Sequence, residues 1–298
     1  MELSLILACS LILQLVFSHH CLFLISSQNF AACHAWARSG QPDAGKYAER
    51  LLDEMSEYVK PNARTYSIVI DAWSRSFGRD DSAERAHALL IEMENLADEG
   101  DTSMRPNYVT YSTAINAYAL SQSEPFKAHK AFALLQRMIQ QSTKNKDPTI
   151  RPNCVTYNTV LNAIATSNPN AMFNTEDNSL QSDLPTLPEM VRTLYSQILE
   201  SNLRPDHYTF GTVLKAIANL FWSEPDQGEF SKEVFQEACK RGYVTFGVLS
   251  QFKQAAPADV YRSLIPENAY NRENRNIVMK HIPKEWRRNA REQKKHVQ

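Results

Sequence analysis

The chain has 298 residues, with 32 Lys plus Arg against 33 Asp plus Glu and a formal net charge of −1. Its 43% apolar content is enough to bury a core, and the near balance of charge excludes binding a polyanion by bulk charge alone. Five cysteines, none closer than twelve positions to the next, exclude a Cys-x-x-Cys site and a disulfide framework.

Residues 1–27 form an apolar leader, nearly continuous from Leu3 to Ile25 but broken by Ser4, Gln14, Ser18, His19 and His20. It resembles a signal-peptide core or a marginal membrane span, yet Glu2 and no Lys or Arg precede it. A targeting segment, an anchor and an artefact of the gene model all stay open. His19-His20-Cys21 looks ligand-like, but neighbouring side chains on a helix do not converge, so no metal is expected.

Downstream, one phrase recurs: Lys60-Pro61-Asn62, Arg105-Pro106-Asn107, Arg151-Pro152-Asn153 and Arg204-Pro205-Asp206, each followed by Thr-aromatic at Thr65-Tyr66, Thr110-Tyr111, Thr156-Tyr157 and Thr209-Phe210. Recurrence at spacings of 45, 46 and 53 residues marks stacked repeats. After each phrase comes one apolar helical stripe: Tyr66, Val69, Ile70, Trp73; then Tyr111, Ala114, Ile115, Tyr118; Tyr157, Val160, Leu161, Ile164; and Phe210, Val213, Leu214, Ile217. A degraded copy lies at Asn29, Ala32, Cys33 and Trp36. A second helix repeats too, through Ala48-Leu51-Leu52-Met55, Ala86-Leu89-Leu90-Met93, Ala131-Leu134-Leu135-Met138, Val191-Leu194-Tyr195-Ile198 and, more weakly, Ser231-Val234-Phe235-Ala238.

These stripes predict an all-α chain, a right-handed superhelical solenoid of about five helix-turn-helix repeats. The expected organisation is a degenerate repeat at 28–62, then repeats at 63–107, 108–153, 154–206 and 207–241. A loop at 167–185 interrupts the fourth repeat. Capping helices at 242–271 cover the last apolar face, and 272–298 is a basic tail.

The chain lacks Gly-x-Gly-x-x-Gly, a Gly-rich phosphate loop, Gly-x-Ser-x-Gly and His-Glu-x-x-His. Acidic clusters such as Asp80-Asp81 fall in predicted loops, where solvation explains them. No enzyme, cofactor, metal or small-molecule substrate is expected.

The Val109-Thr110-Tyr111-Ser112-Thr113 and Val155-Thr156-Tyr157-Asn158-Thr159 openings, with the Pro-Asn or Pro-Asp closings, resemble the pentatricopeptide repeat family over residues 28–241. The resemblance implies an organellar, sequence-specific binder of single-stranded RNA that reads one base per repeat. Carried over by position, the reading pairs are Ser67 with Asn107, Ser112 with Asn153, and Asn158 with Asp206. It implies adenine for the first two and uracil for the third. Val109, Val155 and Tyr208 fall where the family sandwiches bases, whereas Arg64 departs from that pattern. The column Lys60, Arg105, Arg151 and Arg204 supplies phosphate-contact candidates, and the basic stretch through Lys280, Arg287 and Arg288 is another.

Each of these residues has an ordinary role as well, since Asn62, Asn107, Asn153 and Asp206 precede helices and are good N-caps. Three read bases at roughly 1–3 kcal/mol each reach about 3–9 kcal/mol, against about 8.2 kcal/mol for micromolar affinity. Help is therefore expected from the basic tail, other RNA-processing proteins or further repeats. A mitochondrion or plastid is the expected compartment, with membrane anchoring or secretory entry as the alternative if the leader acts. No DNA partner is expected. The competing function is a helical-repeat scaffold that holds a peptide.

Overall fold

The recurring Thr that follows each Pro-Asn or Pro-Asp explains where the helices begin. In the computed structural model, which describes residues 21–56, 60–76, 78–169, 184–270 and 277–290, Asn153 takes an extended backbone and its Oδ1 accepts from Thr156 N at 3.1 Å. Thr156 Oγ1 in turn accepts from Asn153 N, closing a capping box that Asp206 and Thr209 repeat. Asn62 and Asn107 likewise accept from Thr65 N and Thr110 N, and the four threonines, Thr65, Thr110, Thr156 and Thr209, are all buried. The preceding proline cannot donate a backbone N–H and holds the entry extended. The leader to residue 20, most of the predicted 167–185 loop, and residues 271–276 and 291–298 of the cap and tail lie outside the described residues.

Among the described residues twelve α-helices follow in order: α1 Cys21–Ser39, α2 Ala44–Ser56, α3 Ala63–Ser74, α4 Ser82–Asp98, α5 Tyr108–Leu120, α6 Lys127–Asn145, α7 Cys154–Ala165, α8 Leu187–Glu200, α9 His207–Leu220, α10 Gln227–Arg241, α11 Phe246–Ala255 and α12 Ala258–Leu264. Among the described residues the one β-type pairing is an isolated bridge between Tyr270 and Ile277. The chain is thus all-α, with helix packed on helix. Contacts divide it into two units, residues 1–117 and 118–298, with the division inside α5.

In the first unit α1 packs on α2 and α3, α2 on α3, and α3 on α4. The stripes read from the sequence form its core: Val69, Ile70, Leu90 and Met93 are inaccessible to solvent. Each such side chain contributes roughly 1.5–3 kcal/mol by leaving water. Gly45 on α2 lets Trp73 of α3 come close, since a Cβ there would lie 2.3 Å from the indole.

In the second unit α9 packs directly on both α7 and α11, while α8 and α10 each cover α9 from the other row. Val160, Leu161, Val213, Leu214, Leu249 and Phe252 are fully buried between them. α11 holds the same relation to α9 as α7 does, so it is a further member of that row. Thr245 caps it through a 3.2 Å bond from Val248 N. Residues 279–290 then fold back on the end of α10. Arg288 Nη2 and Asn289 Nδ2 donate to the carbonyls of Lys240 and Arg241 at 2.8 Å, and Val244 N donates to Trp286 O. The first two bonds satisfy acceptors that the C-terminus of α10 leaves open. The described part of the basic stretch therefore closes the helix array instead of standing free in solvent.

Candidate nucleic-acid interface

Ser67 sits one turn beyond Ala63 on α3, which aims it at the next capping phrase. Its Oγ donates to Ala63 O at 2.7 Å and lies 2.9 Å from Thr110 Oγ1, which is 3.4 Å from Asn107 Oδ1. The first reading pair, Ser67 and Asn107, is thereby joined in one cluster of the first unit. Because the Ser67 proton goes to Ala63 O, its remaining capacity is as an acceptor. Asn107 Oδ1 receives Val109 N at 2.9 Å and Thr110 N at 3.2 Å, so its Nδ2 is the atom left to donate. The atom that caps the helix and the atom left to donate are at different ends of the same amide.

The third pair, Asn158 and Asp206, lies in the second unit. Cys154 Sγ on α7 donates to Arg204 O at 3.3 Å, which sets the first turn of α7 beside the Arg204-Pro205-Asp206 phrase, and Asn158 follows one turn on. Asp206 Oδ1 accepts from Tyr208 N and Thr209 N, both at 3.0 Å, leaving Oδ2 as a free acceptor. Asn158 is only 7% exposed, and its Oδ1 is buried without a hydrogen-bond partner among the described residues. Ser112, half-buried on α5, belongs to the first unit, whereas Asn153, its partner by sequence, belongs to the second.

Val109, Val155 and Tyr208 occupy the exposed first turns of α5, α7 and α9, with 47%, 65% and 55% of their surface open. At Arg64 the guanidinium lies 4.6 Å from the Phe30 ring, so intramolecular packing occupies the corresponding place in the first unit. The basic column is not uniform. Lys60 is 2.7 Å from Asp101 Oδ2, and this hydrogen bond holds the Asp101 carboxyl below the usual carboxylate range. Arg105, Arg151 and Arg204 are exposed.

Sequence reasoning assigned Val244 to Ala255 to capping and so passed over Thr245 and Gln251. The signal was present in Val244-Thr245-Phe246, a Thr-aromatic pair without its Pro-Asn. In the structure Gln251 lines a cleft of about 260 Å³ between α7, α9 and α11, together with Asn162, Tyr208, Gly211 and Lys215. Among the described residues no cluster of His, Cys, Asp or Glu has the grouping of a metal site, and no helix is long and apolar enough to cross a membrane. Compared with family models, curated proteins and solved structures, the chain matches none.

Proposed function

We propose that the protein binds single-stranded RNA and reads it one base per repeat, as a right-handed superhelix of pentatricopeptide-like helix pairs serving RNA processing, stability, splicing or translation in a mitochondrion or plastid. The observation that carries this reading is the cluster of Ser67, Thr110 and Asn107, in which residues forty positions apart meet and one capping amide keeps an unengaged donor. Ser67 as acceptor and Asn107 Nδ2 as donor complement the N6 amino group and N1 of adenine. Asp206 Oδ2 is an acceptor for N3–H of uracil, and Asn158 Nδ2 is a donor for its O4. Val109, Val155 and Tyr208 offer exposed apolar surfaces against which base faces rest. Arg105, Arg151 and Arg204 are the available phosphate contacts, with Lys60 held by Asp101.

The same exposed valines and tyrosine favour the second reading, a groove for an extended peptide. Fluorescence polarisation of the full chain with short RNAs in the order adenine-adenine-uracil separates the two. Specific RNA binding that weakens on exchanging the uracil supports the first; affinity for RNA independent of sequence, with no base preference at any position, contradicts it.

A further inference from the structure

Tyr208, Gly211, Thr212 and Lys215 follow one another along a single face of α9 and form one wall of the 260 Å³ cleft between α7, α9 and α11. Seven residues of helix span about 10 Å, long enough to hold a ring and a phosphate on separate side chains. The volume is slightly below the range of drug-sized pockets, which suits one nucleotide and not a folded partner. At the mouth Tyr208 exposes 55% of its surface as a stacking platform. In the middle Gly211 leaves the wall open, for a Cβ there would meet no heavy atom within 4 Å. At the far end Lys215 is half-buried with no ion-pair partner among the described residues, and no Asp or Glu lines the cleft. Asp206, next to His207 in sequence, is outside the lining and engages the α9 cap through Oδ1. The buried Lys127 of α6 lies outside the lining, its amine donating to Ser121 O at 3.1 Å, and burial together with the charge of Lys215 holds it below the usual lysine range. From α7 and α11 the side-chain amides of Asn162 and Gln251 face the cleft without hydrogen-bond partners among the described residues, each a donor and acceptor pair for a base edge.

We propose that this cleft binds a nucleoside monophosphate, either free or as the phosphorylated end of an RNA strand, with the base on Tyr208 between the two amides and the phosphate on Lys215. A monoester carries more negative charge than an internal diester and so gains more from Lys215. The strand-end source rests on the RNA reading above; the free nucleotide does not.

Titration calorimetry on the full chain with AMP and with adenosine tests it, alongside Lys215→Gln and Gly211→Met variants whose helicity is checked by circular dichroism. The expected result is that adenosine binds about tenfold more weakly than AMP, and that each folded variant weakens AMP by about tenfold or more. Three oligonucleotides, with a 5′-phosphate, a 3′-phosphate or hydroxyls at both ends, identify the source. Tighter binding of one phosphorylated end assigns the site to that strand end, and equal binding of all three assigns it to the free nucleotide. Indistinguishable AMP and adenosine, or unchanged AMP binding in both folded variants, overturns the proposal. Failure of base-by-base reading would show separately, as no base preference at the Asn158 and Asp206 position with AMP binding intact.

Discussion

At Asn158 a buried amide oxygen lacks a partner among the described residues, and an orphaned acceptor of that kind costs roughly 1–3 kcal/mol. That cost makes Asn158 a position where an apolar residue of similar size should stabilise the fold. Asn158→Leu, similar in size and free of polar atoms, is expected to raise the melting temperature by about 2–4 °C per kcal/mol recovered while weakening RNA binding; a lower melting temperature would show that the amide is stabilising. Burial also pushes the Cys33 thiol up to about 11 and the Cys239 thiol up to about 12. The unfolded chain ionises these thiols first, so their contribution is complete below the unfolded value of about 9 and declines as pH rises toward the folded values. Urea midpoints are expected to fall between about pH 9 and pH 11, and to fall less in a Cys33→Ala, Cys239→Ala double variant. An identical fall in that variant would remove the thiols from the account.

Gly45 on α2, Gly211 on α9 and Gly242 just past the end of α10 are in different situations, and the three should respond differently to alanine. Gly242 ends α10 at φ 76° with Arg288 Cγ 2.5 Å from where a Cβ would stand, so Gly242→Ala is expected to cost more than about 1 kcal/mol. Gly45→Ala would meet Trp73 and is expected to destabilise as well, whereas Gly211→Ala, in open space within a helix, should stabilise by roughly 0.5–1 kcal/mol. Chemical denaturation of the three variants checks the order, and a stabilising Gly242→Ala would contradict the docking of residues 279–290. The helices themselves were readable because apolar residues at i, i+3, i+4 and i+7 report a buried face wherever it packs, as at Tyr157, Val160, Leu161 and Ile164. The caps were readable because Pro-Asn and Thr act locally. What escaped was non-local. The Lys60 to Asp101 pair depends on a short 3₁₀ turn at Thr102–Met104 that brings residue 101 back to residue 60. The return of Arg288 onto α10, and the cleft at Gln251, depend likewise on how separate elements pack.

Across the whole chain a net charge of −1 leaves little counterion release to drive RNA binding. With Arg105, Arg151 and Arg204 as the contacts, about three phosphates at a slope of about −0.7 each for single strands give a salt dependence near −2. A slope several times steeper would mean that charge, not base edges, dominates. The central claim is that successive repeats present their polar pairs to successive bases of one strand. It is tested most directly by measuring polarisation of the full chain and of Asn158→Ser with adenine-adenine-uracil and adenine-adenine-guanine RNAs. Asp206 accepts from N3–H of uracil and N1–H of guanine alike, so the smaller serine at 158 is predicted to make room for the purine and move the preference from uracil to guanine. Equal loss of affinity for both RNAs would contradict the account.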